Sequence, residues 1–175
     1  MSGIIVITGS PNLILGGNAM TLSEKKQLQL TACKVRMGII ESTYAAKCGH
    51  PGGSLSATEM FTYLYFKEMN IDPKNPKWED RDRFVLSKGH ACPVVYACLA
   101  RRGFFDVEHL STLRKYHSIL QGHPDMNKVP GLDMTAGSLG NGLSTAVGLL
   151  NGIVSLLLIL FANKMSKKTM GTGIW

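Results

Sequence analysis

A short apolar run at Phe84–Ser87, followed at once by Lys88-Gly89-His90 and a helical pattern, is the feature that most restricts the fold. The run is short and bounded by polar residues, which is typical of a buried strand. The helix that follows has Pro93 in its first turn and Gly103 just past its end, the positions that these residues favour. Helices and short strands alternate along the chain, which predicts an α/β fold with a mainly parallel sheet flanked by helices.

The residues before this unit predict a short strand and a long helix. Ile4–Thr8 is apolar enough for a strand. Thr21 and Glu24 have the spacing of a capping box, in which each side chain binds the backbone of the other residue. Apolar residues then recur at helical spacing, so a helix is expected to run to about Lys47.

A glycine-rich break, "CGHPGGSLS" at Cys48–Ser56, interrupts this helical pattern. Ser56 and Glu59 have the spacing of a second capping box, which predicts a tight bend before a second helix that buries Met60 and Phe61. Farther along, Asp106 is placed to cap another helix through Tyr116. A long loop and a final apolar helix follow.

Composition limits the class of partner. The chain has 175 residues, 45% hydrophobic and 18% charged, which is typical of one globular domain. Its net charge of +7 favours anionic partners, such as phosphorylated metabolites, nucleic acid or a membrane surface. No long Lys/Arg run and no basic helix with interleaved aromatic residues is present, so nucleic acid is not expected as a partner.

Cysteine usage and the N-terminal residues predict a cytoplasmic protein. The four cysteines form no C-x-x-C pair and no zinc-finger spacing, which indicates reduced thiols. The first charged residue is Glu24, so the apolar start lacks the basic region of a secretory signal.

The stretch from Met134 to Asn163 carries no charge and could form either a membrane span or a buried helix. Glycine, serine, threonine and asparagine between Gly140 and Ser155 weaken the membrane signal. We therefore expect a buried helix, with a membrane-anchored fragment as the alternative.

Three of the five histidines, His50, His90 and His123, directly follow a glycine in a loop. Each could simply bind the backbone of a turn. Together they suggest a site, either a zinc hydrolase centre with three imidazole ligands or a site for an anionic ligand. The short spacings usual for zinc ligands are missing and the net charge is positive, so the anionic ligand is favoured.

A run of glycines, Gly137-Ser138-Leu139-Gly140-Asn141-Gly142, precedes the last helical pattern. Such a run exposes backbone amides at a helix N-terminus, where anions are favoured. It matches no standard phosphate-binding motif, and tight packing of a helix against a strand or a partner protein explains the glycines equally well.

Four motifs in this order resemble the N-terminal, diphosphate-binding half of transketolase. They are "KCGHPGGSLSATE", "RDRFVLSKGHACPVVYACLARRG", "QGHPDMNKVPGLD" and "MTAGSLGNGLSTAVGL", and the resemblance covers about 20–149. It implies a thiamine diphosphate-binding fold, incomplete at its C-terminus, in an enzyme of the pentose phosphate pathway. Such an enzyme uses thiamine diphosphate and Mg²⁺ to transfer a two-carbon ketol unit between phosphorylated sugars.

The resemblance also implies roles for individual residues. His50 and His123 match the histidines that meet the sugar and are the candidate catalytic residues. His90 matches the histidine that contacts the cofactor diphosphate, and Gly137, Ser138 and Leu139 match the segment that contacts the cofactor. The implied partner is a second copy of the chain in a homodimer, or a C-terminal transketolase subunit.

The chain departs from the family at the metal. Transketolases bind the cation through a Gly-Asp-Gly motif and a later asparagine, and none of the six aspartates of this chain lies between two glycines. In transketolases, the glutamate that activates the cofactor lies in the other half of the protein. We therefore expect no metal ligands and no activity from the chain alone.

This comparison predicts three segments. Residues 1–19 are an extension of doubtful status, because the resemblance begins at Met20. Residues 20–149 are a partial transketolase-like domain. Residues 150–175 are a divergent apolar and basic tail. Two alternative functions follow from the same departures, a non-catalytic remnant that binds a partner and a membrane-anchored fragment.

Overall fold

The computed structural model describes residues 4–7 and 20–170. The elements in chain order are β1 (Ile4–Ile7), α1 (Leu22–Ala46), α2 (Pro51–Leu55), α3 (Thr58–Tyr63), a π-helical turn (Leu64–Glu68), β2 (Arg83–Leu86), a 3₁₀ turn (Gly89–Ala91), α4 (Cys92–Arg102), a 3₁₀ segment (Val107–Thr112) and α5 (Asn141–Met170).

Helix α1 begins and ends where its sequence predicts. The Glu24 amide donates to the Thr21 hydroxyl over 3.2 Å, and the Thr21 amide donates to the Glu24 carboxylate over 2.9 Å, which confirms the capping box. The helix ends at Ala46, and the next residue, Lys47, has a left-handed φ of 50°. Lys67 forms an ion pair with Glu24 and so joins the π-helical turn to the start of α1.

Helix α4 is the centre of the core. Every residue from Cys92 to Ala100 is buried, and α4 packs against α1, α2 and α3. Phe61, which was expected in the core, and Tyr65 are buried beside Phe84 of β2. Met60, which was expected in the core, is exposed instead.

The two described strands pair antiparallel, with Ile4 opposite Leu86 and Ile7 opposite Arg83. Both strands were predicted, and β2 is followed by a loop and a helix as expected. The described part of the chain contains no parallel pair of strands. The strand beside β2 in that part is β1, and the two run in opposite directions.

The second capping box was predicted wrongly. Pro51 begins α2, and this short helix includes the glycines that were expected to form the bend. Ser56 therefore lies at the end of α2, where its hydroxyl donates to the carbonyl of Gly53, and Ala57 precedes α3 without a side-chain cap. The loop that holds His50 is consequently only a few residues long.

The helix predicted from Asp106 to Tyr116 is also absent from the described structure. Val107–Thr112 forms a 3₁₀ segment, and the Asp106 side chain does not cap it. The Thr112 hydroxyl donates to the carbonyl of His109, and Arg114 has a φ of 61°, which cannot continue a helix.

Helix α5 continues without a break across the expected boundary between 149 and 150. Its first turn lies beside β2, and farther along many large apolar side chains are exposed, including Leu157, Leu158 and Phe161. The expectation of a buried helix is therefore wrong for this part of α5. Among the described residues, no helix combines the length and the apolar content needed to cross a bilayer.

Gly38 allows α1 to approach α4, and this contact gives a stability prediction. A Cβ atom at Gly38 would lie 3.2 Å from the Cβ of Ala97 and 2.9 Å from Cδ1 of the buried Leu110. We expect Gly38→Val to lower the free energy of unfolding by about 1–3 kcal/mol, because the added carbons overpack this contact. Urea unfolding measures the change.

The matched control is Gly152→Val in α5, where nothing lies within 4 Å of the added Cβ. That substitution should change stability by less than ~0.5 kcal/mol, since it alters only helix propensity. Equal effects of the two substitutions would show that the contact between α1 and α4 is not tight.

Candidate active site

The three histidines that follow glycines line one cavity of about 260 Å³. The ring centroids of His50 and His90 are 5.1 Å apart. His123 lies against the backbone of the His90 loop, because a Cβ atom at Gly89 would be 2.9 Å from Cδ2 of His123. The structure thus brings together three loops that are far apart in the sequence, as the sequence analysis expected.

His50 is held between two helices. Gly49 has a φ of 135°, which favours glycine, and Pro51 begins α2 directly after the histidine. The hydroxyl of Ser54, one turn into α2, donates to the carbonyl of Ala91 over 3.3 Å. This bond ties the His50 loop to the start of α4, next to His90.

His90 is half-buried in the 3₁₀ turn between β2 and α4. Burial lowers the pKa of its imidazole, and the nearby charges of Lys88, His50 and His123 lower it further. At neutral pH the ring is therefore largely neutral. An anion bound beside it would reverse this effect, because it would stabilise the protonated ring.

His123 is exposed, but the backbone beside it is anchored to α4. The buried thiol of Cys92 donates to the carbonyl of Gly122 over 3.2 Å, and the Tyr96 hydroxyl donates to the carbonyl of Gln121 over 2.9 Å. Burial raises the pKa of Cys92 to about 12, so the thiol keeps its proton and remains a donor. The His123 loop is thus fixed from inside the core.

The glycine run has two parts with different surroundings. The Gly140 amide donates to the Ser87 carbonyl over 3.0 Å, and a Cβ atom at Gly142 would lie 2.7 Å from Cα of Ser87. These two glycines therefore allow α5 to pack against the end of β2, which is the structural explanation that the sequence left open.

The residues matched to cofactor contact, Gly137, Ser138 and Leu139, are exposed just before α5. Their amides have no backbone acceptor within the described residues. Gly137 does not line the histidine cavity. The neighbouring Ala136 lines an adjoining cavity together with His123, and its carbonyl packs on Gly89.

Arg114 also lines the histidine cavity, and sequence reasoning missed it. The sequence placed it in a helix that the described structure lacks. The only available signal was its position in a basic segment shortly before Gly122 and His123.

The side chains do not fit a divalent metal. Within residues 4–7 and 20–170, no three His, Cys, Asp or Glu side chains are grouped closely enough to hold an ion. Asp133 forms an ion pair with Arg81 and accepts from the Phe84 amide over 2.7 Å, so it is already engaged. This finding argues against a zinc hydrolase centre formed by the three histidines.

The diphosphate of thiamine diphosphate, in contrast, fits the donors present. His90 can donate from the cavity, and the amides of Gly137–Leu139 lie ahead of a 30-residue helix, whose positive end favours anions. The described residues therefore offer both a side-chain and a backbone donor to phosphate oxygens.

Comparison with known proteins agrees with this fit. Residues 27–162 match the family described as "Transketolase, thiamine diphosphate binding domain". The chain is 48% identical over 129 residues to a 6-deoxy-6-sulfo-D-fructose transketolase subunit of Clostridium, covering 73% of this chain and 47% of that protein. It is 45% identical over 122 residues to an apulose-4-phosphate transketolase subunit of Phocaeicola vulgatus, covering 70% of this chain and 43% of that protein.

The fold comparison gives the same family. The transketolase of Pichia stipitis in complex with sedoheptulose 7-phosphate superposes with a TM-score of 0.67 at 38% identity, over 77% of this chain and 19% of that one. The chain belongs to the transketolase family and matches its thiamine diphosphate-binding section. The predicted α/β, thiamine diphosphate-binding fold is confirmed, and the chain spans less than half the length of the two curated relatives.

Gly89 provides a test of the cavity. An alanine there would push away the ring of His123 and the carbonyl of Ala136, which would lie 3.0 Å from the new Cβ. We expect Gly89→Ala to destabilise the chain by about 1–3 kcal/mol in urea unfolding, because backbone must move to admit the methyl group.

Gly52→Ala in α2 is the control, since no atom lies within 4 Å of its added Cβ. It should leave stability the same or slightly higher. A Gly89 variant as stable as this control would mean that the His90 and His123 loops are not in close contact.

Proposed function

We propose that the chain is the cofactor-binding section of a transketolase that transfers two-carbon ketol units between anionic sugars. The observation that carries this proposal is the convergence of His50, His90 and His123 on one cavity at the start of α4. Thiamine diphosphate, when bound, supplies a carbon nucleophile that attacks the carbonyl of a ketose.

His90 and the backbone of Gly137–Leu139 bind the diphosphate. The imidazole donates to a phosphate oxygen, and its proton is stabilised by the anion that it contacts. Each amide at the start of α5 adds a favourable interaction with negative charge, of roughly 0.3–1 kcal/mol. These donors orient the cofactor but leave most of its negative charge without a cationic partner.

His50 and His123 act on the sugar. Ketol transfer requires protons to leave and return to hydroxyl groups of the substrate, and imidazoles do this near neutral pH. Both side chains are exposed at the cavity, His50 close to the ring of His90 and His123 against the backbone of the His90 loop. An arriving sugar would therefore meet both rings.

The substrate class is an anionic sugar. One relative is named for a sulfonated fructose and another for apulose 4-phosphate. The net charge of +7 suits such substrates, because it attracts them over a distance of about 8–10 Å at physiological salt. We assign the same broad class, a sugar that carries a phosphate or sulfonate, to this chain in the cytoplasm.

We propose that the chain works with a partner. Two relatives are named as subunits, and the exposed apolar residues of α5 offer a surface for a second copy or for a C-terminal transketolase subunit. The same surface supports the second candidate function, a non-catalytic remnant that binds a transketolase partner. Partition between detergent and water tests the membrane-anchored alternative, in which α5 would carry the chain into the detergent phase.

A ketol-transfer assay tests the proposal that the chain is inactive alone. The purified chain with thiamine diphosphate and Mg²⁺ should show no turnover, because none of its six aspartates lies between two glycines as in the family's metal motif. A C-terminal transketolase subunit should restore little activity, since the missing aspartate and asparagine belong to this section. Clear magnesium-dependent turnover by the chain alone would contradict the proposal that it is inactive.

The pKa of His90 predicts how cofactor binding depends on pH. That pKa is lowered in the free chain and would be raised by a bound diphosphate, so binding takes up a proton. Affinity should rise as pH falls from about 7 to 5, by about tenfold, the difference between a neutral and a charged hydrogen bond. Calorimetry at several pH values measures this change.

His90→Gln is the control for that measurement, because the cofactor's own phosphate also titrates in this range. The variant should retain only the pH dependence of the ligand itself. Identical pH profiles for the wild-type chain and the variant would exclude His90 from the diphosphate site.

A further inference from the structure

A second cavity, of about 530 Å³, lies between α1 and α3 and shares no lining residue with the histidine cavity. Two ion pairs join the helical segments on its two sides. Arg36 pairs with Glu59 of α3, and Glu24 pairs with Lys67 of the π-helical turn. The two segments therefore run in opposite directions. We call the space that they leave between the two ion pairs the α1–α3 groove.

The size and the walls of the α1–α3 groove are typical of a small-molecule site. Leu28 and Ala32 line it from α1, and Tyr63 lines it from α3. The lining residues on α1 extend from Lys25 to Arg36, which is about three helical turns or roughly 16 Å. Binding sites for small molecules likewise have mostly apolar walls and a few polar groups.

One polar group of the groove has no partner. Thr62 lines the groove and is only 1% exposed, yet its hydroxyl makes no hydrogen bond within the described part of the chain. The hydroxyls of three other helical threonines, Thr31, Thr43 and Thr58, each donate to the carbonyl four residues earlier. A buried hydroxyl without a partner is unfavourable, and a ligand oxygen in the groove would accept its hydrogen bond.

The helix that carries Thr62 is distorted directly after the groove. Tyr63 is the last residue of α3, and the π-helical turn begins at Leu64. Turns of this kind are rare and occur frequently at functional sites. The distortion thus begins next to a residue that lines the groove, and it is independent of the unpaired hydroxyl.

The groove also carries one unbalanced positive charge. Lys25 is exposed at the groove, and within residues 4–7 and 20–170 no carboxylate lies within ion-pair distance of it. The other cation of the lining, Arg36, is already paired with Glu59. An anionic ligand with a single charge would therefore balance the groove.

We propose that the α1–α3 groove binds an amphipathic monocarboxylate, which is a small ligand with one carboxylate and an apolar chain. The apolar chain packs against Leu28 and Ala32. The carboxylate is attracted by Lys25 and accepts a hydrogen bond from the Thr62 hydroxyl. This site does not depend on the proposed function, because none of its residues belongs to the histidine cavity.

Alkylation of Cys33 by iodoacetamide gives a measurement that is confined to the groove. Cys33 lines the groove and is exposed, whereas Cys48 is also exposed but lies just before His50. Peptide mass spectrometry of the full chain gives the labelling rate of each thiol. Octanoate should slow the labelling of Cys33 along a saturation curve, whose midpoint is the dissociation constant, and should leave the labelling of Cys48 unchanged.

Two other probes separate the contributions of charge and chain. Octanamide has the same shape as octanoate without the charge, so it should bind about 3–10-fold more weakly, the difference between a charged and a neutral hydrogen bond. Acetate has the charge without the chain. It should give no protection at concentrations that saturate the groove with octanoate.

Thr62→Val tests the hydroxyl at nearly constant shape. The variant should bind octanoate about 3–10-fold more weakly, yet its urea midpoint should be unchanged or higher, because the free chain loses a buried unpaired hydroxyl. A residue with only a structural role would not separate these two measurements. Thr31→Val is the matched control, since Thr31 does not line the groove, and it should not change the affinity for octanoate.

Lys25→Gln tests the charge. It should weaken octanoate about 2–5-fold, the value of an exposed ion pair, and leave octanamide unchanged. Lys26→Gln removes the same charge from the next residue, which is exposed and does not line the groove, so it should change neither affinity.

Several results would overturn the assignment. They are equal protection by octanoate and octanamide, protection of Cys48 in place of Cys33, and no protection at all. An octanoate affinity that is unchanged in Thr62→Val, or a urea midpoint lowered by that substitution, would also overturn it, since the hydroxyl would then serve the fold and not a ligand. Equal effects of the Lys25 and Lys26 variants would exclude a local role for the charge.

Discussion

Burial of α4 is the constraint on which the rest of the structure depends. The six residues from Val94 to Leu99 are fully enclosed, and each large apolar side chain among them contributes about 1.5–3 kcal/mol by leaving water. The start of this helix is also where the site is assembled. Ser54 binds the carbonyl just before it, and Cys92 and Tyr96 hold the segment that leads to His123. A rigid helix thus fixes the positions of three loops.

Elements with strong local signals could be predicted from the sequence. The capping box at Thr21, Pro93 in the first turn of α4 and Gly103 after it each act on backbone within about one turn of the helix, so neighbouring residues suffice to identify them. The structure of the segment after His50 was harder to predict. Pro51 favours the start of a helix and the following glycines favour a turn, and the contact of Ser54 with the core decided in favour of the helix.

The site itself could be predicted only in part. Glycine before each histidine identified the loops, but their approach depends on contacts distant in sequence, such as that of Gly89 with Ala136. The glycine run gave an ambiguous signal because Gly142 serves helix packing while Gly137 is exposed. Arg114 gave no local signal, since its position depends on a left-handed backbone and on the space left by Gly122.

The structure brings three histidines to one cavity, and among the described residues no group of side chains is placed to hold a metal ion. The central claim is that His50, His90 and His123 form one site for thiamine diphosphate and its substrate. The most direct test is a titration of the full chain with thiamine diphosphate, followed through the imidazole NMR signals of its five histidines. We expect the signals of His90, His50 and His123 to shift along one saturation curve, His90 most strongly, while those of His109 and His117 stay in place. Unchanged His90 signals, or equal shifts at all five histidines, would contradict the account.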